Sequence, residues 1–512
     1  GLDPDKIPPI ELFNKYVVDS VVEKDRVAQR PDVRTSYTYE DAAWAKDDDE
    51  FTKPDRRTYS QWRGYAGVLT TTGATENTGK ANATEQSQTR KRYFRGLSTD
   101  TAKVTVKDST GTEELGEDLP QYQGQVAETI TYGKAGGSVE SRKLTWPRSM
   151  ETARRKRLDT SDLVAYQTGI ARTDDIESVS GGKSRMERTL STYEGKEAYG
   201  LLKTTQTDVL ENKGTGWTTV KQSCTRLKYV HNGASNLIGL QSEKVETTGD
   251  CSGGGVEAGT RLSATRISYD AINAFGTAPT KGLPYQVDST DAAGTGWTTS
   301  GRTEYDALGR AVKTYDAAGN PSGITFSPPT GPPFSITATN ALGHTVTTKV
   351  DPARGSVLES TDANGRKVTT VYDELGRSTE VRTPSQKPTD PAAYTFEYQI
   401  AELKTPAVIS RTLKDNGTYS TSVAIYDGLL RPRQSQSEGP GGARLITDTL
   451  HSANGTVSQT NSGYLAEGKV STELYVPKSV TEVPSSAQTA YDGLGRAVRV
   501  TSLEKGEARR ST

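Results

Sequence analysis

Methionine, histidine and cysteine are almost missing from this chain, with 2, 3 and 2 copies among 512 residues. So few methionines exclude an adaptable Met-lined pocket. His231, His344 and His451 are the whole supply of imidazole for a metal site or a general base. Hydrophobic residues make up only 32%, short of the roughly 45–50% of an ordinary globular domain on a scale that also counts Gly. No stretch approaches the ~18 apolar residues of a membrane span, and no signal-peptide pattern opens the chain. Gly1 in place of Met reads as excision from a longer polypeptide, so the missing pattern does not exclude export. Neither sign of charge dominates. The 63 basic and 64 acidic residues are interspersed, which gives no electrostatic case for nucleic acid or an anionic membrane.

What is present points one way. The 24 Tyr and 5 Trp argue against disorder. About 70 threonines favour strands and 50 glycines favour tight turns. Such a chain suits thin sheets with much wetted surface. At this length one expects several ordinary domains or one large repeat array.

The array is visible directly. Its clearest copies are Tyr305-Asp306-Ala307-Leu308-Gly309-Arg310, Tyr372-Asp373-Glu374-Leu375-Gly376-Arg377 and Tyr491-Asp492-Gly493-Leu494-Gly495-Arg496. Tyr315-Asp316-Ala317-Ala318-Gly319-Asn320 follows the first. Weaker copies begin at Asn340, Asp351, Asp362 and Tyr426-Asp427, and positions 340, 351, 362 and 373 are eleven apart. That spacing is one strand plus one turn. Asp bonds backbone N–H groups ahead of it and closes the turn. Gly supplies a positive φ. Tyr ends the incoming strand, where its ring is expected to stack on the equivalent ring of the next hairpin. Arg starts the outgoing strand and covers that ring or pairs with an acid. Alternation after the turn, as in Ala497-Val498-Arg499-Val500, makes a strand with one buried and one wet face.

Upstream of about residue 300 the rhythm persists while the motif blurs. Tyr269-Asp270 with Gly276 reads as a stretched copy. Residues 16–22, 35–39 and 203–209 read as strands; 71–90 and 321–333 read as loops. The expected fold is all-β: a long antiparallel sheet of repeated Tyr-Asp hairpins spiralling into a partial hollow shell. It divides into an N-terminal arm and first strand (1–30), a degenerate repeat region (31–260) and a clear repeat region (261–512) on the same sheet.

The Tyr-Asp-x-x-Gly-Arg copies resemble the Rhs/YD-repeat family, strongly over about residues 260–512 and more softly over 30–260, where Thr58–Tyr65 and Arg92–Gly96 are similar to the front of actinobacterial Rhs proteins. The family includes bacterial polymorphic toxins, cocoon subunits of insecticidal Tc toxins and teneurins. The resemblance implies a non-enzymatic shell segment, secreted or at the cell surface. Its partner would be a C-terminal toxin cargo or the remaining shell of the same polypeptide. The chain departs from complete members in running to Thr512 with repeats still in progress, without the self-cleaving core segment, so the family's chemistry transfers to no residue here.

No catalytic, cofactor or metal residue is expected, and each candidate has a plainer reading. Gly181-Gly182-Lys183-Ser184 looks like the end of a phosphate-binding loop, but Glu177 stands where the first Gly belongs. Gly249-Asp250-Cys251-Ser252-Gly253 looks like a nucleophile elbow but runs into more glycine. Asp47-Asp48-Asp49-Glu50 lacks the ligand spacing of a calcium loop. Arg154-Arg155-Lys156-Arg157 offers a polyanion patch, or simply a solvated loop beside Glu151 and Asp159. Trp44, Trp62, Trp217 and Trp297 are candidate stacking platforms for a cell-surface glycan, the alternative function, and a hidden hydrolase is a third. Cys224 and Cys251, 27 residues apart around a hairpin at His231-Asn232-Gly233, are expected to form a disulfide; two unrelated buried thiols are the alternative.

Overall fold

The computed structural model describes residues 14–28, 31–74, 84–158, 160–179, 181–214, 216–252, 261–271, 274–291, 294 and 296–512. Among these residues, thirty strands join one antiparallel sheet. They contain no α-helix, only short 3-10 turns such as Pro54–Arg56 and Pro120–Tyr122.

Strand order follows the chain. Leu163–Val179 pairs with Lys183–Tyr193, that strand with Leu202–Asn212, and that one with Trp217–Asn232. The pattern continues to Ala497–Glu504 and Glu507–Ser511. Antiparallel neighbours need only short turns, so a repeat of one strand and one turn builds this meander by itself. Leu237–Thr248 pairs directly with Arg261–Tyr269, carrying the ladder across residue 260. One hairpin stands apart. Thr105–Lys107 and Glu114–Glu117 pair only with each other, between Ser87–Tyr93 and Val126–Tyr132, which pair directly.

Three local expectations change. Residues 321–333 are not all loop: Pro321–Ser327 is a strand, with Pro at the first position where a sheet tolerates it. The 71–90 stretch is bounded by strands Gln61–Thr72 and Ser87–Tyr93, and 75–83 lie outside the described residues. The strand expected over 16–22 is Ser20–Glu23.

The register places one set of alternate side chains on a common face from strand to strand. Asp174 lies opposite Arg188, Arg188 opposite Asp208, and Asp208 opposite Gln222. Chain excursions bury this face in two places. Phe94, Leu115 and Tyr122 of one excursion pack on Ala127 and Leu144. Val470 and Leu474 of another cover Ala407, Ile409, Val423 and Ile425, while Tyr475 and Val483 pack with Ile446 and Tyr464. Between these excursions the same face carries charge: Glu359 holds Lys349 at 3.0 Å and Lys367 at 3.2 Å.

The sheet also returns to its own beginning. Hairpin tips at residues 427–431, 452–456 and 491–496 meet residues 25–28, Gly73 with Glu85, and 133–140. Gly428 N donates to Asp25 Oδ1 at 3.3 Å, Asn454 Nδ2 to the Glu85 carbonyl at 2.6 Å, and Gly493 N to the Gly133 carbonyl at 2.6 Å. Contact is tip against loop, not strand against strand. This makes the sheet a spiral.

Candidate functional site

The repeated turn is the one element whose chemistry recurs. In the first copy Asp306 Oδ1 accepts from the N–H groups of Leu308 and Arg310, both at 2.9 Å, and Oδ2 accepts from Arg310 Nε at 2.7 Å. Gly309 N donates to the Asp306 carbonyl at 3.0 Å, and Asp306 N to that of Arg310 at 3.0 Å. A single carboxylate therefore satisfies two backbone donors and one guanidinium inside five residues. Asp373 with Leu375 and Arg377, and Asp492 with Leu494 and Arg496, repeat the arrangement. In the copy following Tyr315, Asn320 Nδ2 takes the place of the guanidinium on Asp316 at 2.8 Å. Gly309, Gly319, Gly376 and Gly495 sit at φ of +78°, +83°, +79° and +77°, where a Cβ is disfavoured.

Electrostatics follow this geometry. Burial raises the Asp306 carboxyl, but the Arg310 hydrogen bonds outweigh it and hold the group below the ordinary range. For Asp373 the Arg377 backbone bond is the leading cause of the same downward shift. Among the described residues every carboxylate with a resolved shift is lowered, including Asp108, Asp174, Asp288 and Glu359. In each the charged form is held by arginine, lysine, side-chain hydroxyl or amide, or backbone N–H donors.

The copies at Asp427 and Asp270 depart from the pattern at the glycine. At Tyr426-Asp427 the left-handed position is Leu430, at φ +60°, and Arg431 still binds Asp427 Oδ2 at 2.9 Å. The stretched copy closes through Gly282 and Leu283 and not through Gly276. Asp270 N donates to the Leu283 carbonyl at 2.8 Å, and Leu283 N donates back to Asp270 Oδ1 at 2.9 Å. Thr280, Lys281 and Gly282 give their N–H groups to Asp270 Oδ2. Burial raises this carboxyl, yet the four backbone donors bring it down to about 2.

The tyrosines do not stack on one another along the repeat. Tyr305 Oη donates to the Pro284 carbonyl at 2.7 Å and Tyr372 Oη to that of Val357 at 2.9 Å, each reaching the start of the preceding strand. Tyr229 and Tyr398 make the same latch to Leu202 and Ser378, and Tyr269 reaches Gln241 within the strand Leu237–Thr248. The phenol reaches a backbone acceptor at the strand end, and that bond replaces the expected ring contact. The rings that do gain a partner meet an arginine: Arg377 lies 4.4 Å from the Tyr398 ring, and Arg310 lies 4.1 Å from that of Phe326. Tyr491 uses its carbonyl, which accepts from Glu85 N at 3.3 Å.

Other candidates resolve individually. Cys224 and Cys251 are disulfide-bonded with Cα atoms 5.2 Å apart, so Cys251 carries no nucleophilic thiol. Gly181 and Gly182 form a hairpin tip at φ +78° and +73° ahead of a strand, not a helix. His231 Nδ1 accepts from Gly239 N at 3.0 Å and its ring packs on Tyr199. The acidic and basic runs neutralise each other: Arg155 meets Glu50 at 3.2 Å and Arg157 meets Asp48 at 2.8 Å. Trp44 and Trp62 pack edge to face, and Arg266 lies 4.5 Å from the Trp297 ring. Trp217 remains 38% exposed. Among the described residues, no three His, Cys, Asp or Glu side chains are grouped to hold a metal, and no helix is long and apolar enough to cross a membrane.

Sequence reasoning passed over the buried polar ladder. Arg188 grips Asp174 through Nε at 2.9 Å and Nη2 at 2.7 Å; Gln222 reaches Asp208 at 3.1 Å; Arg266 reaches Asp288 at 2.8 Å. A signal was present: Arg172-x-Asp174, Gln206-x-Asp208 and Gln286-x-Asp288 each put two polar groups on one face of a strand.

The RHS repeat family matches residues 351–387, a stretch with turns at Asp351, Asp362 and Asp373. No curated protein sequence matches the chain. The crystal structure of TcdB2-TccC3 without its hypervariable C-terminal region superposes with a TM-score of 0.70 at 12% identity, over 96% of this chain and 33% of that one. TcdB2-TccC3 itself gives 0.68 at 12%, over 92% and 30%. The Photorhabdus luminescens Tc holotoxin pore gives 0.66 at 12%, over 92% and 32%. The chain thus spans about a third of the length of these structures. At 12% identity what is shared is the fold. In repeat motif and in fold alike, this chain resembles the Rhs/YD-repeat proteins.

Proposed function

We propose that this chain is a wall segment of a hollow β-sheet shell that encloses or carries another polypeptide, a C-terminal toxin or effector of the same protein. One observation carries the reading: after a turn of the spiral, later hairpin tips of the meander meet the loops between its first strands. A sheet that does so surrounds a space, and a chain with 32% hydrophobic residues has too little apolar surface to fill that space with a dense core. Its buried clusters are thin, each formed by one excursion laid on one patch of sheet. The likeness to TcdB2-TccC3 supports a structural shell role. That protein has a hypervariable C-terminal region, which makes a variable cargo following the repeats the partner of choice. A disulfide between the two cysteines suits a protein secreted or held at the cell surface. Glycan recognition has weaker support, since the rings of Trp44, Trp62 and Trp297 are engaged within the fold.

Small-angle X-ray scattering on the purified chain tests the wall. A shell gives a pair-distance distribution weighted beyond half its maximum dimension, and a distribution weighted toward short distances, as for a solid globule, rejects the reading. Limited proteolysis of the parent polypeptide tests the cargo: a segment following the repeats should resist cleavage while the sheet is intact, and cleavage as fast as that of the free segment removes the cargo claim.

A further inference from the structure

We infer that Gly428 and Gly493 are the lock of the spiral, the two tips through which the wall parts and rejoins without unfolding. After the motif Asp stand Ala307, Ala317, Ala363 and Glu374 in four copies, and Gly only at 428 and 493. Those two tips are ones that reach the first turn of the spiral. Neither is among the glycines at positive φ, so backbone conformation does not explain them. Close approach does. A Cβ on Gly493 would stand 2.6 Å from the Gly133 carbonyl oxygen and 2.8 Å from Lys134 Cα, both backbone atoms that cannot swing aside. On Gly428 it would stand 3.1 Å from Asp25 Oδ1.

The contacts that accompany these glycines are polar. Beyond the Gly428, Asn454 and Gly493 bonds, Glu85 N donates to the Tyr491 carbonyl at 3.3 Å, Arg433 Nε to that of Ala28 at 3.3 Å, and Arg496 pairs with Glu140 at 3.3 Å. They join residues as much as 405 apart in sequence. Each tip is closed by its own turn: Asp492 N to the Arg496 carbonyl and Gly495 N to that of Asp492, both at 3.0 Å. Parting the seam therefore breaks these cross-turn bonds and no strand pair. The lock follows from the seam geometry and stands whether or not a cargo is enclosed.

Hydrogen exchange on the full chain tests it with Gly493→Leu, Asn454→Ala and a control, Ala307→Leu, which alters the same motif position on an exposed tip. The Glu85 amide should exchange at least tenfold faster in Gly493→Leu and faster in Asn454→Ala, with Asp492 and Gly495 amides unchanged. Ala307→Leu should alter none of these. An unchanged Glu85 amide in Gly493→Leu overturns the proposal. So does equal acceleration of the Asp492 and Gly495 amides, since the tip would then melt instead of parting.

Discussion

Arg157 meets Asp48 across 109 residues of chain, donating to its carboxylate at 2.8 Å and to its carbonyl oxygen at 3.1 Å. Two charge runs that each suggested an outside ligand, a cation for one and a polyanion for the other, are thus partners. Asp48 is well exposed and Arg157 is not, so the pair is a partly screened one. Asp48→Arg and Arg157→Asp should each destabilise the chain, and the double exchange should recover about 0.5–1 kcal/mol of coupling that fades with salt. Denaturant melts at low and high ionic strength measure it; zero coupling refutes the pairing.

Position four of the turn should show opposite signs in two copies. Gly309→Val forces a β-branched side chain to φ +78° and should cost about 1–2 kcal/mol. Leu430→Gly relieves a left-handed leucine at φ +60° that is 65% exposed, and should be neutral or stabilising by up to about 1 kcal/mol. A clear loss on Leu430→Gly would show that the side chain matters more than the backbone.

Tyr372→Phe isolates the latch. It removes the bond to the Val357 carbonyl and keeps the ring, for an expected loss of about 1 kcal/mol in equilibrium unfolding. No change in stability would return the residue to a packing role.

Asp270 links stability to acid. Its folded carboxyl is held at about 2, below the ordinary 3.8, so its contribution is fully present above pH ~4 and is lost as pH falls from about 4 towards 2. Allowing for solvent screening, about 1 kcal/mol should disappear over that window. Asp270→Asn should be less stable at neutral pH and lack this acid-dependent loss; parallel pH profiles for the two proteins would exclude the linkage.

Reduction of the disulfide should destabilise the sheet by about 3–4 kcal/mol in the chain-entropy view of a loop closed across 27 residues. Calorimetry on the Cys224→Ala/Cys251→Ala protein reads the same loss without a reductant. Two titratable thiols in the native protein would reject the bond.

The turn was legible in the chain because its chemistry is local. Asp306, Gly309 and Arg310 satisfy one another within five residues, so type and spacing alone fix the arrangement, and spacing sets one strand per turn. Alternation likewise determines that each strand has two unlike faces. The choice of glycine at the stretched turn was not local. Gly276 and Gly282 both adopt positive φ, and only the four donors converging on Asp270 select the second. Nor was the tyrosine acceptor, since Val357 and Pro284 reach their phenols through strand register. The pairing of Asp48 with Arg157, the burial of Asp174 and Asp208 and the approach of Gly493 to Gly133 depend on how far the sheet curls and twists before it meets itself. A per-residue pattern carries no measure of that curvature. It is summed over the thirty strands of the described residues, and only the folded spiral decides which tips touch.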